Sequence, residues 1–104
     1  MAPLQKTINQ NETIAATDQP SLEQNAPNPV NNITVIKYHL PSSVKTGQLI
    51  ISDAKGSILK SFTLQGKANG QVTLTAGTLA TGTYFYTLVT DGRKAATKEM
   101  QIVK

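Results

Sequence analysis

The sequence predicts an all-β, immunoglobulin-like antiparallel β-sandwich of about six to seven strands. From Ile33 onward the apolar residues recur with a period of two, the spacing of a strand that buries one face. These runs are separated by Gly and Asn turn signals at intervals of roughly 8 to 14 residues, as in hairpin-connected sheets. No segment holds a convincing helical period, and 104 residues are enough for one core.

Residues 1–21 are rich in Gln, Asn and Thr, and Leu4, Ile8 and Ile14 keep no period. They read as a flexible linker ahead of one domain spanning residues 22–104. A short extra strand is expected from residues 22–25 or 31–32. In residues 33–40, Ile36, Tyr38 and Leu40 share one face, while Ile33, Val35, Lys37 and His39 share the other. This predicts a strand buried on one side and mixed on the other, closed by Pro41, which cannot continue a ladder. Residues 48–53 place Leu49 and Ile51 on one face, and Asp53-Ala54-Lys55-Gly56 supplies a turn with Gly56 suited to positive φ.

Residues 58–64 are expected to pair with that strand, with Ile58, Phe62 and Leu64 inward and Lys60 interrupting the pattern. Asn69-Gly70 carries a hairpin signal, followed by a strand over 71–75 with Val72 and Leu74. Beyond the Ala76-Gly77 break, residues 82–90 alternate Tyr84, Tyr86 and Leu88 against Thr83, Phe85, Thr87 and Val89. Asp91-Gly92 has the chemistry of a type I′ turn, and residues 94–103 return with Met100 and Ile102 inward and Lys98 and Gln101 in solvent. Leu79 followed by Gly82-x-Tyr84 fits a tyrosine corner, in which the phenol bonds to upstream backbone; the alternative is a half-buried strand aromatic. Neither gives Tyr84 chemistry.

Ten Lys or Arg against six Asp or Glu give a net charge of +4 and a pI near 9.5. The cations are dispersed singly or in pairs and only Arg93 is an arginine, so no nucleic-acid footprint is expected. With no cysteine there is no disulfide and no thiolate chemistry. No run approaches the ~18 apolar residues of a membrane span, so no membrane insertion is expected. Met1-Ala2-Pro3 is not followed by a cationic and then apolar stretch, so an export signal peptide would lie upstream in a longer parent.

His39 is the sole histidine and stands on the mixed face of its strand, where a polar surface role is expected. A small enzyme would need His39 in a cleft beside an acid. The acids Glu12, Asp18, Glu23, Asp53, Asp91 and Glu99 are too scattered for paired-carboxylate work, and neither Asp turn supplies more than one carboxylate to calcium. Gly66, Gly70 and Gly77 lie between strands rather than at a strand-to-helix phosphate loop. The sequons at Asn11 and Asn32 are read as incidental. No enzyme, metal or cofactor is expected.

Pro27 and Pro29 fix φ and remove two backbone donors, which predicts a stiff extended lead-in. The order matters more than the motif: Leu22-x-Gln24-Asn25-x-Pro27-Asn28-Pro29, then Thr34-x-Ile36-x-Tyr38-x-Leu40-Pro41, Asp53-x-x-Gly56, Leu79-x-x-Gly82-x-Tyr84, and a basic last strand ending at Lys104. This succession resembles the type A C-terminal sorting domain of the type IX secretion system (the Por secretion tail family), the outer-membrane export route of Bacteroidetes-type bacteria. Val30 stands where that family commonly has Phe, which keeps burial and loses an aromatic anchor.

The resemblance implies a secretion signal that directs a larger cargo through the type IX translocon, with an outer-membrane shuttle protein and a sortase-like peptidase as further partners. It implies transit through the periplasm to the cell surface or the medium, with removal of the domain by a cut before Leu22. It assigns Pro27, Asn28 and Pro29 to the opening of the domain, Gly56, Gly82 and Tyr84 to the fold, and Lys98, Met100, Ile102, Val103 and Lys104 to a translocon-recognition strand. An edge strand there would allow strand addition by a partner or weak pairing of two copies. The competing reading is a non-catalytic immunoglobulin- or fibronectin-like accessory module of a secreted protein, serving as spacer, adhesin or carbohydrate binder. Without Trp, and with its Tyr and Phe mostly at inward positions, the chain lacks the exposed platforms that sugar binding uses.

Overall fold

The computed structural model of the chain describes residues 18–64 and 68–104. Of the linker expected over residues 1–21, residues 1–17 lie outside the described residues, as does the turn glycine Gly66. Seven strands follow in order: β1 (Ser21–Leu22), β2 (Ile33–Leu40), β3 (Gly47–Asp53), β4 (Ile58–Leu64), β5 (Ala68–Thr75), β6 (Gly82–Thr90) and β7 (Arg93–Ile102). They form a three-stranded sheet, β1-β2-β5, and a four-stranded sheet, β4-β3-β6-β7. Every strand-to-strand ladder is antiparallel. This is the sandwich that the sequence predicts, with β1 at the first of the two expected places and starting at Ser21.

Period two produces the core directly, because alternate residues of a pleated strand point to opposite faces. Ile36, Tyr38, Leu40 and Leu74 come from the smaller sheet, and Leu49, Ile51, Tyr84, Tyr86, Leu88, Met100 and Ile102 from the larger; all are buried. Leu22 and Val30 join the same cluster from the lead-in.

Three local expectations are corrected. Ile58 is 66% exposed rather than inward. A bulge explains it: Ile51 faces Lys60 but Ser52 faces Ile58, so Leu59 is skipped and Ile58 falls on the outer side beside Ser52. Asn69-Gly70 is not a turn; both residues lie within β5, opposite His39 and Tyr38. The glycine serves close approach, since a Cβ there would sit 2.5 Å from the Tyr38 Cζ, and the bare backbone lets the ring lie across the neighbouring strand. Lys98 is half-buried and faces Tyr86, on the parity of Met100 and Ile102. At a sheet edge the inward parity still leaves a long side chain a route out along the rim.

The other turns behave as their residues dictate. Gly56 takes φ 92°, and Asp91 and Gly92 take φ 49° and 81°, as a type I′ turn requires. Asp91 also ties this turn to the loop before β3: its carboxylate accepts the Lys45 and Thr46 amides at 2.9 Å, and its own amide donates to the Thr46 carbonyl. The Thr46 and Lys45 amides hold its carboxyl below the usual range.

Two outcomes follow from this geometry. Gly70→Ala should cost about 1–3 kcal/mol in urea unfolding, because the Tyr38 ring must shift within a packed interior. Asp91→Asn keeps a side-chain acceptor and a residue tolerant of positive φ but removes the charge. Since the folded pKa is depressed, the charge stabilises above the ordinary carboxylate value of about 3.9 and is lost as pH falls through the folded value. The thermal midpoint of the variant should therefore lie below that of the native chain at pH 7, and the gap should close in acid. A gap independent of pH would show that the charge is not the cause.

Candidate recognition site

The Pro-Asn-Pro lead-in is folded onto the sandwich rather than held off it as an extended arm. Ala26 exchanges both backbone hydrogen bonds with Val35, at 3.0 and 2.9 Å. The chain then bends through Pro27-Asn28-Pro29, where Ala26-Pro27 and Asn28-Pro29 are both cis. Val30 next forms a parallel bridge with Ile102. Its amide donates to the Gln101 carbonyl at 2.7 Å, and its carbonyl accepts the Val103 amide at 2.8 Å. The Asn28 side chain adds a third bond, accepting the Gln101 amide at 2.9 Å. Val30 itself has no exposed surface, a burial that contributes about 1.5–3 kcal/mol.

A buried polar cluster fixes this bend. The Tyr86 hydroxyl accepts the Asn25 amide and donates to the Glu23 carbonyl, both at 2.8 Å. The Asn25 side-chain amide donates to the Pro27 carbonyl and to Thr34 Oγ1, and the Thr34 hydroxyl donates to the same Pro27 carbonyl at 2.9 Å. Gln24 closes the outer side by donating to Asn25 Oδ1 and to the Glu99 carbonyl. Tyr86 and Thr34 are fully buried and Asn25 is 3% exposed, so each bond replaces hydration that these groups have lost. Burial pushes the Tyr86 phenol upward, which keeps it a neutral donor at physiological pH.

Sequence reasoning assigned Pro27, Asn28 and Pro29 to this region but gave no role to Asn25, Thr34 or Tyr86. Two signals mark them. Thr34 is a polar residue on the parity of Ile36, Tyr38 and Leu40, and a tyrosine at the centre of a buried strand must find a partner for its hydroxyl.

The strand β7 is an edge of the four-stranded sheet, but its outer edge is not uniformly open. In an antiparallel ladder alternate residues turn both backbone groups away from the partner strand, and Gln101 does so, with N–H and C=O both held by the lead-in. The same parity turns the backbone of Thr97 and Glu99 outward; only the Glu99 carbonyl has a partner among the described residues, the Gln24 side chain. The edge is thus covered from the Glu99 carbonyl to Val103 and open at Thr97 and the Glu99 amide. Met100 and Ile102 are core residues, Val103 is 40% exposed, and Lys98 makes no ion pair among the described residues. Lys104 reaches across to the loop after β5, donating to the carbonyls of Ala76 and Gly77 at 2.8 and 3.2 Å.

The remaining motif residues serve the frame. Tyr84 donates to the Ala80 carbonyl at 2.7 Å, the tyrosine corner expected from Leu79 and Gly82-x-Tyr84. Gly82 opens β6 opposite Ile102. The three tyrosines are buried and Phe62 and Phe85 are half-buried, leaving no aromatic platform for a sugar.

His39 does lie beside an acid, with Nε2 3.0 Å from Asp18 Oδ1 and Nδ1 2.8 Å from Asn69 Oδ1. Both nitrogens lie against side-chain oxygens, an arrangement that suits the protonated ring. The Asp18 and Asn69 hydrogen bonds accordingly raise its pKa. Among the described residues no group of three or more His, Cys, Asp or Glu could hold a metal ion.

Removing hydroxyls separates the two tyrosines. Tyr86→Phe leaves the buried Asn25 amide without its partner, also frees the part-buried Glu23 carbonyl, and should cost about 2–4 kcal/mol. Tyr84→Phe frees the carbonyl of an exposed residue, Ala80, which water can satisfy, and should cost about 1 kcal/mol. Urea titrations of both variants test the ranking; equal losses would remove the cluster from its proposed place as the anchor of the lead-in.

The geometry therefore offers surfaces and strand edges rather than reaction chemistry. The sequence profile of the secretion system C-terminal sorting domain matches residues 26–104. No curated protein matches the chain. The matched region begins at the bridge from Ala26 to Val35 and takes in β2 to β7, so it covers the sandwich apart from β1 and residues 23–25. The chain belongs to the secretion system C-terminal sorting domain family, and its function is that of a non-catalytic sorting signal for type IX secretion.

Proposed function

We propose that residues 22–104 act as one sorting domain behind a flexible linker, and that residues 98–104 are the strand by which the type IX machinery takes hold of it. The translocon, an outer-membrane shuttle protein and a sortase-like peptidase are its partners. The protein that carries the domain passes through the periplasm to the cell surface or the medium, and the peptidase cuts before Leu22.

The observation that carries this reading is the place of β7 at a sheet edge, with the backbone of Thr97 and the Glu99 amide open to an incoming chain. Main-chain pairing at such an edge gives affinity, and the side chains on the two faces give selectivity. Lys98 and Lys104 add charge that opposes pairing between copies of the same strand. Pro27, Asn28 and Pro29 act through the fold, by seating the lead-in, and Gly56, Gly82 and Tyr84 act by shaping the turns and strands that carry β7.

Fusion of the full chain to a periplasmic fluorescent protein tests the reading. In a type IX-competent bacterium the reporter should reach the surface or the medium, and in a translocon-deficient strain it should stay in the periplasm. Replacing Lys98 and Lys104 by Gln, which removes both charges and keeps an N–H donor for the Ala76 and Gly77 carbonyls, should reduce export of a fusion whose cooperative thermal unfolding shows that the domain is still folded. Retention of the folded native fusion in both strains would sink the sorting role proposed for it.

A further inference from the structure

We propose that residues 28–30 are a place-holder on β7. An extended segment of the export machinery pairs first with the open backbone of Thr97 and the Glu99 amide, then extends to Val103 by displacing the lead-in. This rests on the reading of residues 98–104 as the docking strand.

The covered and open parts of the edge are contiguous, which is what stepwise exchange requires. Thr97 is the last open position before the bulge at Ala95, where the register with β6 shifts. Its side chain is turned to Thr87 at 3.0 Å, consistent with the close pair whose backbone groups face away from β6. A partner strand seated at Thr97 and the Glu99 amide meets the lead-in one step further on. There the cover is thin: the Gln24 and Asn28 side chains hold the Glu99 carbonyl and the Gln101 amide, and only Val30 makes main-chain bonds, one to the Gln101 carbonyl and one from the Val103 amide.

The occupant is specified by what it replaces. Val30 pairs in parallel with Ile102, so the incoming segment runs parallel to β7. Val30 also fills the core, so the segment carries an apolar side chain at the matching position. Arg93, Lys94 and Lys98 on the same strand make no ion pair among the described residues, which favours an acidic segment by charge complementarity. The partner is an extended, acidic strand with one apolar anchor.

Two measurements test the exchange. In hydrogen exchange on the full chain, the Gln101 and Val103 amides, held by the lead-in, should exchange at least about ten times faster than those of Met100 and Ile102, held by β6. Equal rates would mean that the lead-in opens only when the whole domain does, which overturns the proposal. The chain has no native cysteine, so Val30→Cys with Ile102→Cys, the two residues paired in the parallel bridge, can lock the lead-in onto β7 through a disulfide formed in the periplasm.

In the export assay the locked fusion should reach the surface at least about tenfold less than either single-cysteine fusion. Export of the locked fusion at the single-variant level overturns the exchange but leaves the sorting role intact. Failure of the native fusion to leave the periplasm is the distinct result that removes the sorting role itself. If light scattering finds a dimer that exchanges lead-ins between copies, the occupant of β7 is a second copy and the proposed partner is wrong.

Discussion

The fold depends on one buried hydroxyl. Tyr86 stands mid-strand in β6 with no exposed surface, and its phenol holds the Asn25 amide and the Glu23 carbonyl together. Those two groups belong to a segment that pairs with β2 at Ser21, Leu22 and Ala26 and through the Glu23 amide, which donates to the Lys37 carbonyl, too little ladder to fix its path. Two strand residues and a single bridge are marginal on their own. The hydroxyl converts them into a defined bend, and Thr34 and the Asn25 side chain complete the arrangement by sharing the Pro27 carbonyl. Because every donor in this cluster is matched, it fixes a unique path instead of weakening the core, as a half-satisfied cluster would.

From that bend the two distant parts of the chain become neighbours. Asn28 and Val30 reach Gln101 and Val103, and Lys104 reaches the loop at Ala76, whose own amide is held by the Asn32 carbonyl. The opening of the domain and its last strand are therefore one structural unit, about seventy residues apart in sequence, with the loop-closure entropy of that separation offset by burial of Val30, Ile102 and the polar cluster. A recognition module benefits from this. An exposed edge strand is an invitation to unwanted pairing, and the lead-in covers the end of β7 while leaving its middle accessible.

Strand positions and core faces were legible because they follow from period two, and the tyrosine corner was legible because its spacing is local: Tyr84 and Ala80 are four residues apart. The errors share a different origin. Asn69-Gly70 has the local chemistry of a turn, yet the Tyr38 ring across the ladder is what requires the glycine. Ile58 fits the alternation of its own strand until a bulge against β3 reverses it. Both depend on the neighbouring strand, which a single-strand pattern does not contain. Thr34, Asn25 and Tyr86 fall between these cases. Asn25 and Thr34 stand in the pattern that carries the family resemblance and Tyr86 only in the alternation of its strand, but their meeting is a product of tertiary packing that no single-strand pattern contains.

The distribution of chemistry across the molecule argues for how such a module selects its partner. His39, the only side chain suited to proton transfer near neutral pH, has both nitrogens against side-chain oxygens. The tyrosines are spent on the core. What is left at the surface is backbone along the sheet edges, at β4 and β5 as well as β7, dispersed cations and a few exposed apolar side chains. Backbone is the same in every protein, so an edge alone cannot discriminate. Discrimination has to come from where the edge is open, which residues flank it, and what must be displaced to extend along it. In this chain those three features converge on β7: an opening at Thr97, cations at Lys94 and Lys98, and a lead-in whose seat depends on the Tyr86 cluster. With the docking strand proposed at β7, selectivity becomes a property of the assembled sandwich, because the Tyr86 cluster is what seats the lead-in.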